Sequence, residues 1–305
     1  MQTPESALTT QGRVDPRGLL QLLKPITWFP PMWAFACGVV SSGLSPLEMP
    51  VAVVAGIVLA GPMVCGASQI VNDWFDRHVD AINEPDRPIP SGRVPGRIGL
   101  YYAIVWSALC LLLAAALGEV VFWATVLGLV LAWAYSAPPA RLKLNGWWGN
   151  AAVGFSYEGL AWVTGAAVML GGAMPANEIL ILAVLYSLGA HGIMTLNDFK
   201  AIEGDLQLGV RSIPAQLGPE RAARLACVVM LVPQVAVVLL LLSWDKAGFA
   251  AAIGAGMLLQ LLAMRRLLSD PKGLAPWYNG TGVTLYVLGM MVAASAVRGL
   301  PGIGS

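Results

Sequence analysis

The feature that most constrains this chain is a succession of apolar stretches, each close to bilayer length and nearly free of charge. They run approximately over residues 28–44, 49–71, 99–117, 120–136, 150–170, 178–196, 222–243, 247–264 and 281–298. About 20 apolar residues in helical conformation cross the hydrocarbon of a membrane. Backbone polar groups in lipid must be satisfied within the protein, which leaves helices or closed barrels, and these stretches lack the alternation of barrel strands. The expectation is an all-α integral membrane protein with nine transmembrane helices around a central cavity. Only 11 % of the 305 residues are charged and the net charge is +1. No bulk field therefore recruits nucleic acid, and function must reside in where the few charges sit.

Residues 1–27 read as a short polar tail: Arg13, Arg17 and Lys24 are present, and the apolar core of a cleavable signal is not. Residues 28–305 read as a single nine-helix transmembrane domain. Basic residues test that count. Sixteen of the 18 Lys and Arg fall in the tail or after the second, fourth, sixth and eighth stretches, with Lys246 and Arg298 the exceptions. The positive-inside rule then places the tail and those loops in the cytoplasm and the C-terminus on the opposite side. Cys37, Cys65, Cys110 and Cys227 all lie within apolar stretches with no CxxC spacing. They read as packing residues, with no disulfide or zinc site implied.

The remaining charge concentrates in two segments that both follow even-numbered stretches, so the expectation is two Asp-rich cytoplasmic loops. The first is NDWFDRHVD, Asn72 to Asp80, followed by Arg87 and Arg93. Asn72, Asp76 and Asp80 recur every fourth residue and share one helical face, whereas Asp73 lies off it. Crowded oxygen donors on one face repel one another, and a hard divalent cation such as Mg2+ relieves that repulsion. The second segment, NDFKAIEGD, runs from Asn197 to Asp205 and echoes the first, with Lys200 inside it and Arg211 beyond. Four helices lie between the segments, an even number, which implies a parallel internal repeat facing one mouth.

Basic residues stand beside the acids: Arg87, Arg141, Lys143, Lys200 and Arg211. A diphosphate needs exactly such a mixture in kind, a cation across its oxygens and positive donors for its remaining charge. A phosphate-handling mouth above an apolar bundle points to a lipid diphosphate. Metal-assisted departure of the diphosphate would leave an allylic cation inside the cavity.

These residues resemble the UbiA superfamily of intramembrane prenyltransferases, whose NDxxDxxxD motif matches Asn72 to Asp80 and which carries a second Asp-rich motif. The strings NDWFDRHVDAINEPDRPIPSG, YSAPPARLKLNGWWGN and NDFKAIEGD are similar to the chlorophyll synthase branch. SYEGLAWVTGAAV and HGIMTLNDFK are similar to its bacteriochlorophyll-forming members in phototrophic bacteria. The resemblance implies a UbiA-type fold in the bacterial inner membrane, with the C-terminus periplasmic. It implies a Mg2+-dependent enzyme joining geranylgeranyl or phytyl diphosphate to the propionate of bacteriochlorophyllide a. On it, Asn72, Asp76, Asp80, Asp198 and Asp205 form the catalytic set, and these together with Glu203 hold metal. Arg87, Arg141, Lys143, Lys200 and Arg211 hold the diphosphate. The superfamily's DxxxD form would place Ala201 at its first Asp, so Asp198 or Glu203 stands in for it.

Two ionisable residues fall well inside apolar stretches, away from their ends, where such groups are costly and usually functional. Glu158 and His191 are candidates for the tetrapyrrole pocket, Glu158 as a hydrogen-bonding partner of a pigment carbonyl and His191 as a ligand of the pigment's magnesium. Other acceptors within the superfamily, a chlorophyllide, a quinone precursor or haem, are alternatives. A divalent-cation transporter would place its ligands at mid-membrane, whereas most acids here lie at one face. No residue pattern names a protein partner.

Overall fold

The computed structural model describes residues 13–304, and the first part of the predicted tail, residues 1–12, lies outside them. The described chain is helical: α1 (Pro16–Leu22), α2 (Phe29–Ser41), α3 (Pro50–Asn83), α4 (Ile98–Leu117), α5 (Glu119–Ser136), α6 (residues 146–169), α7 (Asn177–Asn197), α8 (Ile202–Leu208), α9 (Ile213–Leu217), α10 (Pro219–Ser243), α11 (Ala247–Leu267), α12 (Pro271–Asn279) and α13 (Gly282–Val297). All nine predicted stretches lie on these helices. Seven helical stretches are long and apolar enough to cross a membrane, counting α7–α8 and α12–α13 as one each. The other two are α2, which has 13 residues, and α6, where Asn150, Tyr157 and Glu158 interrupt the apolar run.

Glycines set how closely the central helices approach. A methyl group on Gly38 of α2 would lie 2.0 Å from the carbonyl oxygen of Trp162, and one on Gly165 of α6 would lie 2.1 Å from that of Phe35. Lipid tails are as apolar as leucine, so helices in a membrane gain cohesion from such backbone proximity. Trp162 is fully buried at this crossing; its indole N–H donates to Ser41 Oγ at 3.1 Å and its ring stacks on Tyr186 of α7. Tyr286 of α13 meets Tyr186 edge-on and donates to its carbonyl oxygen at 2.7 Å. Gly165→Ala is therefore expected to destabilise the protein by about 1–3 kcal/mol, although alanine is the better helix former. The thermal midpoint in detergent measures this, and an unchanged midpoint would show that α2 and α6 part freely.

Two π-helical segments interrupt the bundle, Leu59–Cys65 in α3 and Phe155–Leu160 in α6. Pro62 lies within the first. Its missing N–H and its ring displace the regular hydrogen-bond ladder, which widens locally to accommodate them. The two segments meet through Cys65, whose thiol lies 3.2 Å from the Tyr157 hydroxyl. All four cysteines are buried and free.

The described part of the predicted tail folds onto α3. Leu22 and Leu23 are buried, and Lys24 takes a left-handed backbone (φ 44°). Its ammonium donates to Asp73 Oδ1 at 2.6 Å.

Candidate active site

The first acidic segment is the closing turns of α3 rather than a loop, since α3 continues unbroken to Asn83. The i, i+4 spacing that groups its oxygens is helical by nature, and Pro85 is the first residue that ends it. The second segment departs from the same pattern. After Asn197 the chain tightens into a 3₁₀ turn, Asp198–Ala201, and restarts as α8. The two repeats are thus alike in sequence and different in backbone.

Cations from elsewhere hold the carboxylates of the first segment. Lys143 donates to Asp76, and Arg87 donates to Asp80 at 2.9 Å and to Glu84 at 2.6 Å while approaching Asp73 at 3.5 Å. The mutual repulsion anticipated among these acids is therefore offset in the protein itself. Arg87 is committed to three carboxylates, so most of its donors are already used. Burial pushes the Lys143 ammonium below its ordinary pKa, against the pull of Asp76 beside it. Asn72 donates to Asp76 at 3.0 Å and to Ser136 at 3.3 Å, which turns its carbonyl oxygen free.

The second segment differs in charge balance. Asp198 accepts from Asn150 at 3.1 Å, and among the described residues neither Asp198 nor Asp205 has a basic side chain within ion-pair distance. Glu203 points away, being 64 % exposed at the side chain and paired with Lys272 on α12. Glu203, read from the sequence as a metal ligand, faces solvent in α8, with Asp205 two residues on. Asn197 is braced by Asn279, which donates to its carbonyl oxygen at 2.8 Å. The two matching asparagines are therefore inequivalent, one free at oxygen and the other occupied.

The loop before α6 joins both segments. Arg211 donates its backbone N–H to Leu144 at 2.9 Å, and Gly146 donates to Arg211 at 2.8 Å, forming the one β-bridge of the described chain, Asn145 with Arg211. A Cβ at Gly146 would stand 2.6 Å from the backbone nitrogen of Ile213, so glycine is required for this approach. Arg141 precedes the bridge in a left-handed conformation (φ 37°), and its Nε is buried with no hydrogen-bond partner. Lys200 and the side chain of Arg211 are exposed. Of the five predicted diphosphate contacts, Arg141 is thus the one with a buried donor left unpaired.

Beneath the acids lies a cavity of about 440 Å³. Asn72, Asn197 and Tyr135 line it at the acidic end, and both π segments contribute to its wall through Cys65, Tyr157 and Glu158. Tyr135 lines the cavity beside Asn72 and Asn197, the first residues of the two acidic segments. Tyr135 and Tyr157 were not singled out from the sequence. The proline at position 62 was the available signal for one π segment; nothing local distinguishes Tyr135 from other interfacial aromatics. Of the two intramembrane candidates, Glu158 lines the cavity, whereas His191 lies outside its lining. The His191 Nε2 is 3.2 Å from the carbonyl oxygen of Trp147, against whose ring the imidazole also lies.

The UbiA prenyltransferase family matches residues 27–297 of this chain. The chain belongs to the UbiA prenyltransferase family. Being of that family, it is a membrane-embedded prenyltransferase. It is 61 % identical over 286 residues to the bacteriochlorophyll synthase 33 kDa chain of Cereibacter sphaeroides, covering 94 % of each chain. It is 37 % identical to the chloroplastic chlorophyll synthase of Avena sativa, covering 91 % of this chain and 75 % of that one. Its fold matches the structure of a UbiA homolog from Archaeoglobus fulgidus bound to GPP and Mg2+, with a TM-score of 0.66 at 19 % identity, covering 93 % of this chain and all of the other.

The donor set suits Mg2+. Its candidate ligands, Asn72, Asp76, Asp198 and Asp205, offer carboxylate and carboxamide oxygens. Among the described residues no three acidic, histidine or cysteine side chains close into a ready-made cage. Mg2+ is ordinarily held by one or two carboxylates together with substrate phosphate oxygens, so an open arrangement of this kind fits it.

Proposed function

We propose that this prenyltransferase is a bacteriochlorophyll synthase, which esterifies the propionate of bacteriochlorophyllide a with geranylgeranyl or phytyl diphosphate and releases diphosphate. The observation that carries this reading is the opening of both acidic segments, through Asn72 and Asn197, onto one apolar cavity, in a chain 61 % identical to a protein of that name. Mg2+ would be held by Asp76, Asp198 and Asp205 with the free oxygen of Asn72, and it supplies neutralisation of charge building on the departing diphosphate. Arg141 binds the diphosphate oxygens that the acids leave uncovered, and Lys143 turns from Asp76 toward the same group once phosphate arrives.

The propionate is ionised at neutral pH, so it attacks the first carbon of the prenyl chain without a general base. The new C–O bond forms as the C–O bond to diphosphate breaks, with the electron pair leaving on the diphosphate. The apolar walls exclude water, which would otherwise capture the allylic carbon. Tyr135 lines the cavity beside Asn72 and Asn197, and its hydroxyl is assigned to positioning the diphosphate. In the membrane we place the N-terminus and both acidic segments on the cytoplasmic side of the bacterial inner membrane, with all nine apolar stretches spanning it and residues 28–305 forming one domain.

The experiment uses purified protein in detergent with geranylgeranyl diphosphate, Mg2+ and either bacteriochlorophyllide a or chlorophyllide a, read by chromatography of the esterified pigment. Ester from bacteriochlorophyllide a that disappears with a chelator and returns with Mg2+ is the expected result. Ester from chlorophyllide a alone would transfer the protein to the other acceptor, and ester from neither would overturn the pigment reading.

A further inference from the structure

Glu158 is 7 % exposed, lines the cavity, and its Oε2 has no hydrogen-bond partner. No lysine, arginine or histidine among the described residues pairs with it. It sits in the π-helical segment Phe155–Leu160, where the added residue per turn re-aims side chains relative to a regular helix. Its neighbour in that segment is satisfied by contrast, since the Tyr157 hydroxyl lies within hydrogen-bond distance of Cys65, Ser68 and Gln69. One side chain of the pair is locked and the other is left open toward the cavity.

Buried carboxyl oxygens are costly to leave unpaired, so an open one in a binding cavity is matched to a polar group of the ligand. Two ligands share this cavity, and they differ in what they offer. A prenyl chain is hydrocarbon and would leave Glu158 unsatisfied. The tetrapyrrole carries carbonyl groups at its rim. Depth selects between them. Glu158 is twelve residues along α6 from Gly146, where the helix meets the phosphate-side loop, which is roughly 18 Å at helical rise. With its propionate at the acidic mouth, the macrocycle keeps its fused keto ring near that mouth, because this ring adjoins the propionate. Of its oxygen-bearing substituents, the one farthest from the propionate is on another pyrrole ring, at the edge opposite the keto group. That position carries an acetyl group in bacteriochlorophyllide a and a vinyl group in chlorophyllide a.

We propose that Glu158, as the neutral acid, donates a hydrogen bond to the acetyl carbonyl of the acceptor and thereby selects bacteriochlorophyllide a over chlorophyllide a. This rests on the acceptor assigned above. A site built to bond a polar substituent rejects the analogue that lacks it, because its own group is then left unpaired. The vinyl group offers no acceptor oxygen.

The test compares kcat/KM for the two pigments, with Mg2+ and geranylgeranyl diphosphate, in the wild type, Glu158→Gln and Glu158→Leu. Glu158→Leu is expected to lose roughly tenfold or more on bacteriochlorophyllide a while keeping its rate on chlorophyllide a. Glu158→Gln, which still presents an N–H donor, is expected to retain most of the preference. Equal losses on both pigments, or no loss on either, would overturn the proposal. A second comparison needs no variant: the wild type with bacteriochlorophyllide a against its vinyl analogue, identical elsewhere. Preference for the acetyl form is expected, and equal kcat/KM would overturn the assignment even if Glu158→Leu fails to fold. Wild-type protein that esterifies neither pigment would instead remove the acceptor reading on which this one stands.

Discussion

Asp76→Asn lowers turnover by at least about 100-fold and leaves the protein folded. Asp76 accepts from Asn72 and from Lys143, and an asparagine in its place keeps an oxygen for one of these partners. What it removes is one negative charge of the acidic mouth, beside Lys143 and Asn72. With Asp76 as a proposed Mg2+ ligand, its loss is expected to weaken the hold on the ion, so the residual activity should need more Mg2+ to saturate. Glu203→Gln is the matched control: Glu203 belongs to the same acidic motif but faces solvent beside Lys272, and its replacement should leave turnover unchanged. Ester formation against Mg2+ concentration, with the thermal midpoint as the folding check, measures both variants. Full activity in Asp76→Asn would remove this carboxylate from the metal site.

The second large effect falls on binding of the donor. Arg141→Ala is expected to raise the apparent KM for geranylgeranyl diphosphate by about 10–100-fold, the equivalent of one or two charge-assisted hydrogen bonds. Its Nε is buried and unpartnered in the free protein, so the diphosphate meets a donor that need not first be released from another acid. Arg87 differs, being already spread over Asp80, Glu84 and Asp73. Arg141→Lys should recover only part of the affinity, because an ammonium lacks the planar fork that engages two phosphate oxygens at once. Steady-state kinetics with varied prenyl diphosphate decides the matter, and an unchanged KM in Arg141→Ala would take this residue out of the phosphate site.

Helical registers were legible because they are local. Every predicted apolar stretch lies on a helix, and the spacing of Asn72, Asp76 and Asp80 already described the end of α3. The sequence echo at Asn197–Asp205 was equally visible, yet its backbone could not be inferred from it, because the 3₁₀ turn at Asp198 depends on contacts with α6 such as Asn150. Glu203 illustrates the same limit. Its position in an acidic motif marks it as a ligand candidate, and only the packing of α12 beside α8 shows that Lys272 takes it instead.

Composition, apolar periodicity and motif spacing determined that this chain is an all-helical membrane protein with two acidic segments. These properties follow from short-range geometry and from the solvent each residue type tolerates. Tertiary structure alone decided which cation meets which acid: Lys143 on Asp76, Arg87 on Asp80, Lys24 on Asp73, and Arg141 left free. It likewise set Glu158 into the cavity wall and His191 outside it. Basic side chains are chemically alike to every carboxylate along the chain, so their pairing is selected by distance and burial. Those are properties of helices packed together, and no local pattern of residues contains them.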